Sequence, residues 1–407
     1  MFSKYRKLNE EDSIKYIKEK MDVFGKDERL ISREIGDGNI NYIFQINSQD
    51  SNFSVVIKQA DKKLRSSGRD LDTDRIRIEA EALNIEGELS KGMVPKIYLY
   101  DREMRCIIME DLSKYQIMRK ALVERKIIKN FSENISDFLL NTMLPTTDLV
   151  NTPMEKKKMV KKFINPELCD ISERLVFTDP YRDIEENTFQ KMNKNFVEGK
   201  LYKDEKLHLE VAKLKIQFMT NAQALIHGDL HTGSIFVKDD KIKIIDSEFA
   251  FYGPMGYDVG NIVANLFFAE IRNLVLNEKS NQFDKWITET IKNTVDLFKI
   301  KFINYLENNT KEKIAITNKF FDWYLDEVLG YTAGAAGLEM IRRIVGEAKV
   351  EDIESIKDSE LKGNAERIGI KIAKELIMNR NKIKTGKNYL DIADEMIMEE
   401  LNDGKIR

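Results

Sequence analysis

The sequence is poor in several residue types. Its 407 residues include two cysteines, Cys106 and Cys169, and three histidines, His208, His227 and His231. Two thiols exclude a disulfide framework and a zinc knuckle, and they fit a reducing, cytoplasmic setting. So few histidines exclude a His-rich metal site. No run of about 18 apolar residues occurs, so no hydrophobic spanning helix is expected. Met1 to Asp12 is charged from the start and carries no apolar signal core. Six prolines leave few breaks and favour helix. Charge is abundant but balanced: 66 Lys and Arg against 69 Asp and Glu give a net charge of −3. A broad basic face for nucleic acid is therefore not expected.

What is present falls into two parts. Asn9 to Phe24 carries Ile14, Ile17 and Met21 at helical spacing. From Leu30 to Ala60, β-branched and aromatic residues alternate with polar ones, which predicts strands over 30–36, 40–47 and 53–60. Gly36-Asp37-Gly38-Asn39 predicts a tight turn between the first two. A helix is expected over 72–89, where Ile78, Ala82, Ile85 and Leu89 share a face, then strands over 96–100 and 106–109. Beyond Leu112 the pattern is helical almost throughout, except over 224–245. The expected fold is α+β, with a small β-rich unit over 1–112 and a larger, mainly helical one over 113–407. Lys156 to Lys162 reads as a solvated helix face, and Asp391 to Arg407 as an amphipathic helix.

The strongest local signal is Ile226-His227-Gly228-Asp229-Leu230-His231-Thr232-Gly233-Ser234, followed by Ile244-Ile245-Asp246-Ser247-Glu248. An Asp on a short loop, then a hairpin, then an Asp closing an apolar strand is a phosphoryl-transfer arrangement. The first can take the proton of an acceptor hydroxyl. The second can hold Mg²⁺ on nucleotide phosphates. Asp246 and Glu248 are two residues apart, so in extended chain both fall on one side and can reach one metal pair. A lone Gly-Asp is ordinarily just a turn; the pairing with Asp246 and Glu248 changes that reading. The second signal is Val55-Val56-Ile57-Lys58, a strand-borne lysine of the kind that contacts phosphates. A carboxylate on the following helix should pair with it: Glu79 and Glu81 are the candidates, and helix phase slightly favours Glu81. The third is Ile107-Ile108-Met109-Glu110-Asp111-Leu112, a strand that enters polar residues where the two parts join.

In this order the elements resemble the protein kinase-like bilobal fold, and the His-Gly-Asp form resembles its small-molecule branch, with aminoglycoside and choline kinases. Longer blocks are similar to the methylthioribose kinases: residues 34–42, 165–180, 227–234 and 246–258, and Ile341-Arg342-Arg343 leading to residues 348–353. The resemblance implies ATP-dependent phosphorylation of S-methyl-5-thio-D-ribose at O1, giving the 1-phosphate and ADP in methionine salvage. It implies ATP and Mg²⁺, a cytoplasmic homodimer, and neither nucleic acid nor membrane as partner. By the same resemblance Asp229 is the catalytic base. Lys58 contacts the α/β phosphates, Asn41 lies over the phosphates, and Glu110, Asp111 and Leu112 cradle adenine. Asp246-Ser247-Glu248 faces the metal nucleotide, with Asp246 and Glu248 as ligands. One of Arg342 and Arg343 reaches substrate hydroxyls; adjacent helix positions point about 100° apart, so the choice stays open. His227 props the loop, His231 stays outside the catalytic set, and Asp258 anchors the loop backbone. The kinase loop Asn is Ser234 here, and Asp-Phe-Gly is Asp246-Ser247-Glu248. Ser234 motivates an alternative, a non-catalytic nucleotide-binding regulator. A kinase of aminoglycoside or choline type is another.

Overall fold

A computed structural model describes residues 2–25, 27–35, 41–63, 70–277 and 281–402. The turn at Gly36 to Asn39, and residues 403–407 of the expected terminal helix, lie outside them. The chain divides into two compact units: Met1–Tyr115 with Lys243–Ala250, and Gln116–Ile242 with Phe251–Arg407. Among the described residues no helix is long and apolar enough to cross a membrane.

The first unit is built on a five-stranded antiparallel sheet of β1 (Leu30–Glu34), β2 (Tyr42–Ser48), β3 (Ser54–Gln59), β4 (Ile97–Asp101) and β5 (Cys106–Glu110), in the order β1-β2-β3-β5-β4. The strands follow the expected alternation within a few residues at each end. Side chains on a strand alternate between faces, and β3 shows what that does. Val55 and Ile57 join Phe2, Tyr16, Ile17 and Ile108 on one face, under α1 (Glu10–Lys20). Val56 joins Ile76, Ala80, Ile107 and Met109 on the other, under α2 (Arg75–Leu89). Lys58 has the parity of Val56, so its side chain falls on the α2 face. Asn9 caps α1 by accepting the amide of Asp12. Lys243–Ala250 packs into this unit: the Ile244 amide donates to the Met93 carbonyl, and the Ser247 hydroxyl donates to Glu86 at 2.9 Å.

The second unit is mostly helix. It begins with the short strand β6 (Gln116–Ile117), α3 (Met118–Val123), α4 (Phe131–Met143), α5 (Pro153–Lys162), α6 (Pro166–Leu175), α7 (Lys194–Val197) and α8 (Glu205–Thr220). Four short strands follow: β7 (Ala224–Ile226), β8 (Ile235–Lys238), β9 (Lys241–Ile244), which leads back to the first unit, and β10 (Phe251–Gly253). β6 pairs with β8 and β10 with β7. The helices α9 (Gly256–Val275), α10 (Asn281–Asn309), α11 (Asn318–Ile344), α12 (Glu351–Glu354), α13 (Ser359–Met378) and α14 (Gly386–Asn402) complete it. A seam of small residues holds α9 against α11. A Cβ on Gly256 or Gly260 would lie 2.6 Å from α11 backbone atoms, so the two backbones approach as only glycine permits. On the other side of α11, a Cβ on Gly337 would lie 2.3 Å from the Ala373 carbonyl of α13. This clamp fixes the start of α9 and the end of α11, where the chemical groups sit.

One expectation fails in this unit. The basic run on α5 is not a wholly solvated face. Lys156 is 1% exposed, with its ammonium 3.2 Å from Asp148 and 4.5 Å above the Tyr252 ring. Its long apolar stem buries at little cost while the carboxylate and the ring's negative face receive the charge.

Candidate functional site

Each unit carries a buried carboxylate centre. In the first, the Lys58 ammonium donates to Glu79 at 2.7 Å and also to Asp246. Glu79, not Glu81, is therefore the helix partner. Glu81 points elsewhere, to Arg77 at 2.7 Å. Asp246 is in the left-handed region at φ +71°, a conformation a non-glycine residue adopts at a cost of about 1 kcal/mol. Its carboxylate is 46% exposed, while that of Glu248 is 6% exposed. Glu248 accepts the Asn41 amide at 3.1 Å and lies 3.5 Å from the Arg75 guanidinium, which in turn donates to Asn41 at 2.9 Å. Burial alone would lower the Lys58 ammonium; Asp246, Glu79 and Glu248 outweigh it and push it up. Burial raises both Glu79 and Glu248. Two cations among three close carboxylates leave excess negative charge, and the most buried carboxyls respond by holding protons more tightly.

The second centre is built on the loop between β7 and β8. Gly228 takes φ +84°, which its missing Cβ allows. The Asp258 carboxylate accepts the amides of His227 at 2.7 Å and Gly228 at 3.0 Å, so α9 pins the loop by its backbone. His227 Nδ1 accepts the Asp229 amide at 3.3 Å. Asp229 Oδ1 then accepts both arginines, Arg342 at 2.7 Å and Arg343 at 3.5 Å. Glu339, one turn earlier on α11, holds the Nε groups of both, Arg343 at 2.9 Å. Burial would raise Asp229, but His231, Arg342 and Arg343 hold it well below the usual carboxylate range. Burial also pulls the His231 imidazole below its ordinary value. With that imidazole neutral, the two guanidiniums carry the lowering.

The sequence reading named Asp229, Lys58, Asp246, Glu248, Asn41, Arg342 and Arg343, and these lie in the two centres. Three other named residues present little side chain for a ligand. Ser247 is fully buried with its hydroxyl on Glu86. The Glu110 carboxylate takes the Lys243 ammonium at 2.8 Å. Asp111 accepts Ser54 at 2.6 Å and Gln45 at 2.9 Å. What Glu110 to Leu112 can offer a base is backbone. His231, kept outside the catalytic set, has Nε2 3.5 Å from Asp229 Oδ2. The sequence reading also missed Arg75, Arg119, Asn265 and Glu339. Of these only Glu339 had a local signal, its spacing of three and four residues before Arg342 and Arg343.

The chain is similar to several known proteins. Residues 176–287 match the APH phosphotransferase enzyme family. Over 400 residues the chain is 36% identical to a methylthioribose kinase of Geobacillus sp. (strain WCH70), with 98% of each chain covered. It is 41% identical over 353 residues to a methylthioribose kinase of Geobacillus kaustophilus (strain HTA426), covering 86% of this chain and 87% of that one. A solved ethanolamine kinase of Plasmodium vivax aligns over 88% of this chain and 89% of its own, with 15% identity and a TM-score of 0.44.

Proposed function

The chain belongs to the methylthioribose kinase family, and on that premise we propose that it transfers the γ-phosphoryl group of ATP to O1 of S-methyl-5-thio-D-ribose. The products are the 1-phosphate and ADP, and the setting is methionine salvage in the cytoplasm. The observation that carries the reading is Asp229, a carboxylate kept ionised by two arginines on a loop pinned by Asp258. An ionised carboxylate beside an acceptor hydroxyl orients it and takes its proton as the oxygen attacks phosphorus. Arg342 and Arg343 both serve this centre, binding acceptor oxygens and countering negative charge on the transferred group.

In the first unit Lys58 contacts the α/β phosphates, held in place by Glu79. Glu110 to Leu112 meet adenine through their backbone, and Asn41 borders the phosphates. The donors fit Mg²⁺, a hard cation that takes carboxylate, phosphate and water oxygens. Asp246 and Glu248 are carboxylates in a neighbourhood of excess negative charge, and Asp246 is half-exposed. When bound, Mg²⁺ supplies positive charge to the phosphate oxygens; Asp246 and Glu248 are the residues that hold it.

The test is ADP release with Mg-ATP and a panel of methylthioribose, ribose, choline and kanamycin. Turnover with methylthioribose above the other acceptors is expected. Turnover on another acceptor alone would move the enzyme out of methionine salvage. A homodimer is part of the same reading and is checked by sedimentation.

A further inference from the structure

His231 sits where a donor and an acceptor nitrogen do different work. Its Nδ1 receives the Gly233 amide at 2.9 Å and faces the Arg119 guanidinium at 3.2 Å. Neither a backbone N–H nor a guanidinium can accept a hydrogen bond, and the more distant Ser234 hydroxyl, 3.5 Å from Nδ1, can donate as well as accept, so the two closer contacts require Nδ1 to present its lone pair. An imidazolium is excluded for the same reason, and burial pulls the ring the same way. A neutral imidazole with a bare Nδ1 carries its proton on Nε2. Nε2 is the atom 3.5 Å from Asp229 Oδ2.

The surroundings are built around this ring. A Cβ on Gly233 would lie 2.7 Å from His231 Cε1, 2.9 Å from Nδ1 and 3.1 Å from Arg119 Nη1. Arg119 is fixed in turn: its amide donates to the Thr232 carbonyl at 3.0 Å, and Nη2 lies 3.5 Å from Asn265 Oδ1. Asn265 also accepts the Thr232 hydroxyl at 3.0 Å and donates to Glu339 at 3.3 Å. The contacts run from Asp229 through Arg342 and Arg343, Glu339, Asn265 and Arg119 to His231 and back to Asp229.

We propose that Arg119 and the Gly233 amide lock His231 as the Nε2–H tautomer, so that this N–H faces Asp229 Oδ2 while the arginines hold Oδ1. The plane of the carboxylate is thereby fixed, with Oδ2 keeping a lone pair for the acceptor hydroxyl. His231 is a positioning residue for the base. This rests on the phosphoryl-transfer reading for its kinetic half only.

The experiment combines ¹⁵N NMR of the three histidines with kinetics. His231→Gln identifies the His231 signal by removing it, and its amide N–H stands where Nε2–H stood. His231→Asn keeps only the Nδ1 end. The substrate-free protein at pH 7.5 is expected to show His231 as the Nε2–H tautomer, and Arg119→Met to show a mixture. His231→Gln should keep kcat within about threefold, while His231→Asn and Arg119→Met should lose about tenfold or more with KM for ATP unchanged. An Nδ1–H or doubly protonated His231 in the unsubstituted protein would overturn the proposal, as would equal losses in the Gln and Asn variants. The tautomer is read without substrate, so a failure of methylthioribose turnover would count against the function and not against the lock.

Discussion

Two carboxylates of each centre behave in opposite ways. In the first unit Glu79 and Glu248 are pushed up; in the second Asp229 and Glu339 are held down. Burial raises all four, so burial does not explain the difference. The count of neighbouring charges does. Burial costs a carboxylate up to about 4–7 kcal/mol, and one opposite charge at about 3 Å returns roughly 5 kcal/mol at an effective dielectric of 20. Two guanidiniums on Asp229 therefore overcome burial. One ammonium shared between Glu79 and Asp246 does not. The first centre has negative charge in excess, which suits a metal nucleotide. The second keeps Asp229 ionised.

The comparison can be broken most forcibly at Lys58. Lys58→Met leaves Glu79, Asp246 and Glu248 with Arg75 alone, and should cost on the order of 3 kcal/mol of stability in urea unfolding near neutral pH. The loss should shrink on acidification, because a carboxyl with raised pKa takes up a proton and removes the uncompensated charge. An unchanged urea midpoint would mean that charge balance does not govern this centre.

The next effect is a gain. Asp352 is 1% exposed, neither carboxylate oxygen meets a hydrogen-bonding side chain among the described residues, and burial pushes its carboxyl up from 3.8 to about 6. A raised acid costs stability where it is charged in both states, above about 6, and costs nothing below its unfolded value. Asp352→Asn should therefore stabilise by on the order of 2 kcal/mol at pH 8 and hardly at all at pH 4. A gain at pH 4 without one at pH 8 would reverse the assignment.

The smallest effect sharpens the contrast between the units. Glu339 orients Arg342 and Arg343 from one turn away. Glu339→Gln should raise KM for the acceptor about fivefold to tenfold and leave KM for ATP within about twofold, the size expected for a misplaced charged contact. Equal rises in both would show that Glu339 is not confined to the acceptor's side of the reaction.

Lys58, Asp229 and Asp246 were legible because each sits beside a short apolar strand whose pattern is local. Glu79 was ambiguous for a physical reason. The helix α2 buries Arg75, Ile76, Ile78, Glu79, Ala80, Ala82, Leu83 and Glu86, so it is covered nearly all round and its apolar face is a poor guide to phase. The return of Lys243–Ala250 to the first unit left no local trace, since it depends on packing against α2 and Met93. The ring from Arg119 to Glu339 draws on α3, the loop after β7, α9 and α11. No spacing rule joins positions 119, 231, 265 and 339. The solvated reading of Lys156 failed because one position of a basic helix lies over an aromatic ring.

The central claim is that Asp229 is the base of an acceptor-dependent phosphoryl transfer. It is tested most directly by methylthioribose-dependent ADP formation in the unsubstituted protein and in Asp229→Asn, with ATP binding measured on both. The account expects at least about 10²-fold loss of kcat in the variant with ATP affinity unchanged. Equal turnover by the two proteins would contradict it.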